Sequence, residues 1–518
     1  MTTPTPSPRY ERFVIIAAVL ASSMAFIDAT ALDVATPALQ LDLRVTGTDL
    51  FWISNAYALL LASLILVGGA LGDLYGRKRV FSIGIGLFTL ASVVCGFAPT
   101  VEVLIAARAV QGIGAALLTP GSLALISATF SDAKRGAAIG TWSMFSTLTT
   151  MAGPILGGVL ASLGLWRAVF WVNVPLGLIA LYLLTRPDVP ESRADTGAKR
   201  LDYAGAILIT LSLALLTVGL TSAPSAQPGD PALPMIGGGA LLLILFVLVE
   251  MRVKHPMLPL RLFKSRTFSG ANLLTLFLYG ALRIAPYFFV LNIQQVQRYP
   301  QEIAGLAFLP FSVCLFLLSR WAGGMINKVG ARLLLTVGPA LAGVGFFLFA
   351  LPGITDGPTD YWTTYFPAVL VLGIGMGITV APLTTAVMTA VPNANIGAAS
   401  GVNNAVARVG AVLALAVVGG FALAQFQANL DARIPAEMPV DARAALMDSS
   451  SAFGATSPPE GLPAELTTQT QTAIRESFVT VFNIVAIIAA VLAWISAAFG
   501  FFLVEPRPHS NRVPPAAR

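Results

Sequence analysis

Charge is what this chain has least of. Asp, Glu, Lys and Arg make up 11% of its 518 residues, against about 25% in a soluble domain, so most of the chain is solvated by lipid. Cysteine is scarcer still. Cys95 and Cys314 both lie in apolar runs, which excludes a disulfide framework and a cysteine-built metal cluster. His255 and His509 sit apart in basic loops and suggest no metal site. No nucleophile–base constellation is present, so the chain reads as a non-enzyme that needs no cofactor. The net charge of +6 is no nucleic-acid footprint, because the bases sit in short loops between apolar runs, as the inside-positive rule requires. A signal peptide is also missing. The run after Arg9 and Arg12 continues to about Leu39, contains Asp28 and has no small-residue cleavage site after it, so it reads as a first membrane helix.

What is present is hydrophobic length. Apolar runs of spanning length fall at 13–38, 50–72, 80–98, 103–127, 137–163, 168–185, 203–221, 233–250, 268–295, 303–321, 333–351, 363–390, 398–426 and 477–503. These fourteen runs predict an all-α integral membrane protein. With the N-terminus inside, only Arg44, Arg167, Arg298, Arg433, Arg443 and Arg475 fall outside, and Arg108, Arg283 and Arg408 fall within runs. The other 22 of the 31 Lys and Arg are then cytoplasmic, with both termini.

The chain repeats itself. Gly69-Ala70-Leu71-Gly72-Asp73-Leu74-Tyr75-Gly76-Arg77-Lys78-Arg79 reads as a tight basic turn between two runs. It returns as Gly323-Gly324-Met325-Ile326-Asn327-Lys328-Val329-Gly330-Ala331-Arg332, 254 positions on. Gly136-Ala137-Ala138-Ile139-Gly140 returns as Gly397-Ala398-Ala399-Ser400-Gly401, 261 positions on. Two copies of a six-helix unit follow, the usual build of a secondary transporter. The first turn follows run 2 and its echo follows run 10, so runs 7 and 8 are an insertion. The expected layout is a cytoplasmic N-terminus (1–12), a first half (13–185), a cytoplasmic linker (186–202), the inserted pair (203–250), a second linker (251–267), a second half (268–503) with an outer loop at 427–475, and a cytoplasmic tail (504–518).

The Gly69–Arg79 segment, in this position and with its echo, resembles the loop signature of the major facilitator superfamily. Asp28-Ala29-Thr30-Ala31-Leu32-Asp33-Val34-Ala35-Thr36-Pro37 resembles the first-helix signature of its fourteen-helix drug:proton antiporters, although that pattern usually has an amide or apolar residue at the place of Asp33. Ala107-Arg108-Ala109-Val110-Gln111-Gly112 is similar to the helix-4 motif whose Arg is implied in proton transfer. Gly153-Pro154-Ile155-Leu156-Gly157-Gly158 is similar to the antiporter motif, and as a bare pattern equally a helix-packing seam. Trp166-Arg167-Ala168-Val169-Phe170-Trp171-Val172-Asn173-Val174-Pro175 looks like the same branch, and physically like an interfacial aromatic belt. The resemblance implies a proton-coupled exporter of small amphiphilic or drug-like molecules working by alternating access. It would sit in the plasma membrane, the bacterial inner membrane by this reading, as a monomer whose partners are substrate, protons and membrane lipid, with no nucleic acid. An exporter of an anionic or zwitterionic metabolite, and a non-transporting receptor or lipid-binding scaffold, stay open as alternatives.

Charges inside the bilayer are costly, so each ionisable residue there is a functional candidate. Asp28 lies 15 residues into run 1, about 22 Å along it, and is the expected proton carrier with Arg108 as its modulator. Asp33 either titrates too or is a wetted acid at the helix end. Asp73, Arg77 and Arg79, with Gly69 and Gly76, are expected to lock the inner gate, since an acid at a helix end can hold a base or a facing helix N-terminus. Asp132, Lys134 and Arg135 are available partners. The repeat puts Arg283 at the equivalent of position 29, so Arg283 is expected to approach Asp28 across a central cavity, directly or through water, in at least one transport state, or else to pair locally. Phe26, Gln111, Trp142, Phe145, Tyr279, Arg283, Tyr287, Asn403, Asn404 and Arg408 are the candidate cavity residues, though aromatic stripes are more often packing than pocket.

Overall fold

A computed structural model describes residues 8–43, 47–186, 202–222, 231–253, 260–299, 306–355, 357–392 and 395–506, with Pro256, Leu258 and Ala304. The side chains of a few residues inside its helices, Asp33, Asp132 and Pro154 among them, lie outside the described set. No strand occurs among the described residues. Fourteen helices are long and apolar enough to cross a membrane, where a lipid-facing backbone must satisfy its own hydrogen bonds. They are α1 (Pro8–Leu43), α2 (Gly47–Tyr75), α3 (Arg77–Gly96), α4 (Val101–Thr129), α5 (Asp132–Ser162), α6 (Ala168–Thr185), α7 (Tyr203–Ser222), α8 (Ala232–Glu250), α9 (Arg266–Leu291), α10 (Leu309–Val329), α11 (Ala331–Phe349), α12 (Phe366–Thr389), α13 (Ile396–Arg433) and α14 (Ala464–Leu503).

Several helices outrun their apolar windows, and three expectations change. The Gly69–Arg79 turn shrinks to one residue: α2 continues through Asp73 to Tyr75, and α3 starts at Arg77. Gly76 makes the reversal at φ 109°, and Gly330 makes the equivalent one at φ 84°, a region that disfavours any Cβ. The tenth helix begins at Leu309 and runs to Val329, rather than spanning 303–321. The outer loop is much shorter than 427–475. Helix α13 reaches Arg433, α14 begins at Ala464, and a nine-residue helix, Val440–Asp448, lies between them. Polar residues such as Gln469, Gln471 and Glu476 hid the first turns of α14 from an apolar-run reading.

The packing is the same in both halves. In the first, α2 and α3 pack on α4, α5 and α6 on α1, and α3 on α6. In the second, α10 and α11 pack on α12, α13 and α14 on α9, and α11 on α14. Each pair recurs eight helices on, as two six-helix halves with α7 and α8 inserted between them demand. The halves meet where α2 crosses α13 and where α5 crosses α10.

Those crossings join the two sequence echoes crosswise. A methyl on Gly69 would stand 2.3 Å from the Gly397 carbonyl oxygen, and one on Gly136 would stand 2.1 Å from that of Gly323. Gly69 is the repeat of Gly323, and Gly136 the repeat of Gly397. Each copy of one motif therefore rests on the opposite half's copy of the other, backbone against backbone, where no side chain fits. The inserted pair packs as a hairpin, with α7 against α2 and α13 and α8 against α7. Leu233, Leu241 and Ile244 on α8 are exposed, as suits a lipid-facing helix.

A candidate proton site and gate

Asp28 on α1 is completely buried. Its Oδ2 accepts from Nη1 of Arg108 on α4, forming a buried ion pair. Its Oδ1 accepts from Gln111 Nε2 at 2.8 Å and from Asn173 Nδ2 at 3.4 Å. Arg108 also donates to Gln111 Oε1 at 2.7 Å and to the Ile53 carbonyl at 3.2 Å. Its guanidinium lies 4.4 Å from the Tyr57 ring centroid. Ser92 on α3 accepts from Gln111 at 2.9 Å and from Asn173 at 3.4 Å. Arg108 and Gln111 share an α4 face because they are three residues apart. Five helices, α1, α2, α3, α4 and α6, thus surround one carboxylate with one cation, two amides and a hydroxyl. Such a pair survives away from water only with its remaining hydrogen bonds made. One acceptor is left over: Asn173 Oδ1 is buried without a partner.

In this conformation Asp28 does not pair with Arg283. Asp28 takes its partners from its own half, while Arg283 on α9 is exposed. Helix geometry explains this. Arg283 is the equivalent of position 29, consecutive helical residues point about 100° apart, and Ala29 is exposed where Asp28 is buried. The repeat offset found the right turn of helix and the neighbouring face.

Gly153 and Gly157 of α5 pack on α1 just beyond Asp28. Added methyls would stand 1.8 Å from Thr30 Oγ1 and 2.2 Å from the Ala31 carbonyl oxygen. Gly158 is half-buried, and the Pro154 side chain lies outside the described residues, as do those of Asp33 and Asp132.

The gate residues gather where α2 meets α13. Asp73 Oδ1 accepts from Arg77 Nε and Nη2 at 3.0 and 2.9 Å, across the Gly76 reversal. Its Oδ2 accepts from the Ala398 backbone N–H at 2.9 Å, in the first turn of α13. There a carboxylate meets both free N–H groups and the positive end of the helix dipole. The equivalent Asn327 instead donates Nδ2 to the Ala133 carbonyl at 2.9 Å, in the first turn of α5. Lys134, expected as a partner of the gate, pairs with Glu11 at 3.0 Å. Arg79 is exposed. The cross-half glycine contacts and both of these hydrogen bonds lie at the end bearing Gly76 and Gly330, so the seam is shut there.

Of the cavity candidates, Phe26 and Trp142 lie together, ring centroids 6.5 Å apart, with Trp142 Nε1 donating to Ser22 at 2.8 Å. Gln111 belongs to the carboxylate cluster. Asn403 donates to Thr275 at 2.7 Å and ties α13 to α9, and Asn404 donates to the Ser400 carbonyl of its own helix at 2.9 Å. Their amide nitrogens are thus committed within the second half. Phe145 and Tyr287 are exposed, and Tyr279 and Arg408 are half-buried. Arg408 is close enough to Tyr57 for the two to interact electrostatically. Sequence reasoning missed Tyr57, Ser92 and Asn173. Asn173 lay inside a segment read as an aromatic belt. Ser92 carries no pattern that would single it out.

Comparison with known proteins agrees with this fold. The profile of the Major Facilitator Superfamily matches residues 18–415. The multidrug resistance protein Stp of Mycobacterium tuberculosis is 34% identical over 437 residues, covering 83% of this chain and 79% of that one. The cephamycin export protein CmcT of Amycolatopsis lactamdurans is 35% identical over 409 residues, covering 78% and 83%. Among solved structures, the human organic anion transporter MFSD10 superposes with a TM-score of 0.57 at 14% identity, covering 95% of this chain and all of that one. That likeness is one of fold.

Proposed function

The chain belongs to the major facilitator superfamily and is a multi-pass membrane transporter, and on that footing we propose that it exports small amphiphilic, drug-like molecules in exchange for protons. The observation that carries this reading is the buried Asp28–Arg108 pair. It is a titratable charge in the bundle interior, in a half that must rock against its partner across glycine seams. The curated relatives are named for multidrug resistance and antibiotic export, which supports an exporter of such compounds.

In the proposed cycle, Asp28 is ionised while it holds Arg108. A proton arriving from the far side cancels its charge, and Arg108 is left to the partners it already has, Gln111, the Ile53 carbonyl and the Tyr57 face. The pair is then a two-state element that proton binding biases, and substrate can bias the same element, as coupling requires. The shut seam leaves the transport path closed at the Gly76 end. By the charge distribution that end is cytoplasmic, with both termini, in a bacterial inner membrane; the protein works as a monomer. Residues 13–185 and 268–503 are the moving halves, and 203–250 is a peripheral insertion.

The test is efflux from proteoliposomes under an imposed pH gradient, with a panel of cationic, neutral and anionic amphiphiles. Wild type is expected to move at least one class with a matching proton flux. Asp28→Asn is expected to insert normally and to lose gradient-driven efflux. Gradient-driven efflux by that variant at the wild-type rate would overturn the assignment.

A further inference from the structure

Two guanidiniums on the adjacent helices α9 and α13 remain unaccounted for. Among the described residues neither Arg283 nor Arg408 makes an ion pair or a hydrogen bond. By contrast, Arg77 holds Asp73, Arg108 holds Asp28, and Arg475 holds the Val296 carbonyl at 2.7 Å. An unpaired cation facing lipid within the bilayer is strongly disfavoured, so both must look into the space between the halves.

The register of α9 against α13 places them near one another. Asn403 bonds Thr275, and a methyl on Gly410 would stand 2.6 Å from the Leu276 carbonyl oxygen. A methyl on Gly280 would stand 3.1 Å from Ala414. The two helices therefore run parallel, with 403 opposite 275 and 410–414 opposite 276–280. Arg408 then lies about level with residues 275–276, and Arg283 sits some seven or eight residues farther along α9. At 1.5 Å per residue this is roughly 10–12 Å, a span that two long arginine side chains reaching toward each other can close around one small group. Tyr279, Arg283 and Tyr287 recur at four-residue spacing on α9, which gives the cation an aromatic neighbour on each side. Across the seam, Arg408 lies within electrostatic reach of Tyr57, whose ring carries Arg108 at 4.4 Å.

The charge balance decides the ligand. Asp28, the nearest described acid in the interior, has both oxygens engaged in its own half. Two uncompensated cations in a low-dielectric space attract an anion and repel a cation. A guanidinium's planar fork matches the two oxygens of a carboxylate. We propose that Arg408 and Arg283 form a carboxylate-binding subsite, and that the preferred substrate is an amphiphile with one anionic group and an aromatic or apolar body. The inference rests on the export reading, since the subsite would lie on the transport path. It also assigns Tyr57 a place between the carboxylate and the Asp28–Arg108 pair, so the bound anion would act on the element that carries the proton.

The probes are pyrenebutyrate and its methyl ester, which share one fluorescent body and differ in the charged group. Binding to purified protein in lipid nanodiscs is read by fluorescence anisotropy. Wild type is expected to bind the acid at least tenfold tighter than the ester. Arg408→Gln and Arg283→Gln are each expected to weaken the acid about tenfold and to leave the ester unchanged. The double variant should lose the preference, and Arg408→Lys should keep part of it. Equal binding of acid and ester by wild type, or a preference that survives the double variant, would overturn the proposal. A variant that fails to fold would lose ester binding too, so the ester serves as the folding control. Binding is measured without a pH gradient. A failed subsite therefore leaves export standing, and failed gradient-driven efflux with intact carboxylate preference would sink the export reading alone.

Discussion

At the scale of single residues, the centre of the molecule is one carboxylate kept out of water by named partners. Removing one member of a buried pair leaves the other uncompensated, at a cost of about 3–5 kcal/mol. Arg108→Gln is therefore expected to lower the thermal midpoint in detergent sharply. Asp28→Asn should do so much less, because Arg108 keeps Gln111 and the Ile53 carbonyl as acceptors. The double variant, neutral throughout, should recover much of the loss, and scanning fluorimetry on the three proteins checks it. Asn173 has a narrower part. A protonated Asp28 gains an O–H that needs an acceptor, and Asn173 Oδ1 lies unspent beside it. Asn173→Leu is expected to shift the pH profile of gradient-driven transport, whereas Asn173→Gln should restore part of it. A uniform loss of rate with an unmoved profile would leave Asn173 a packing role. Of these partners, Arg108 and Gln111 were legible from their motif. Tyr57 and Ser92 were not, because nothing in a one-dimensional pattern says which way a lone hydroxyl points.

At the scale of elements, the seam between halves works through the absence of side chains. Gly323→Ala would push a methyl to 2.2 Å from the Gly136 carbonyl oxygen, while the adjacent Gly324 has open space around it. Gly323→Ala is expected to hold the seam apart, slow transport at least tenfold and raise cysteine labelling of the Gly76 end. Gly324→Ala should transport normally and gain up to about 1 kcal/mol of stability from the helix. Asp73→Asn should act in the same direction as Gly323→Ala but more mildly. An amide oxygen at position 73 can still accept from the Ala398 N–H, so what is lost is the charge: its pairing with Arg77 and a charge–dipole interaction of about 0.3–2 kcal/mol. At the opposite end, Asp42 accepts from Trp166 at 3.1 Å and pairs with Arg167, clasping α1 to the start of α6. The bond from Arg167 holds the Asp42 carboxyl below its ordinary value of 3.8. A depressed carboxyl stabilises the fold above the unfolded value and stops doing so as pH falls through the folded one. The clasp should thus be intact from pH 7 to about 4. The gap in thermal midpoint between wild type and Asp42→Asn should be constant over that range and close only below it.

At the scale of the whole molecule, α7 and α8 are an addition to a structure that repeats without them. Helix α7 nevertheless touches α2 and α13, the helices that cross at the gate, and Ala206, Ile209 and Leu213 share a buried apolar cluster with Leu66 and Ala70. A chain lacking residues 203–250, with its flanking linkers joined, is expected to insert and fold as two six-helix halves with a lower thermal midpoint. If it yields no folded protein, the inserted pair belongs to the core rather than to the rim.

The lipid-solvated class, the number of crossings, the insertion and the two repeated motifs were all determined by the sequence alone, because composition, run length and spacing are local properties that survive without a fold. Three things waited for the tertiary structure. The echoed glycines meet crosswise, Gly69 on Gly397 and Gly136 on Gly323. Asp73 holds a backbone N–H 325 residues away. Asp28 turns toward Arg108 rather than Arg283. The reason is the same in each case. A repeat offset specifies a position along a helix to within a few residues, and even one residue is about 100° of rotation. Which face meets which neighbour is settled only when the helices pack.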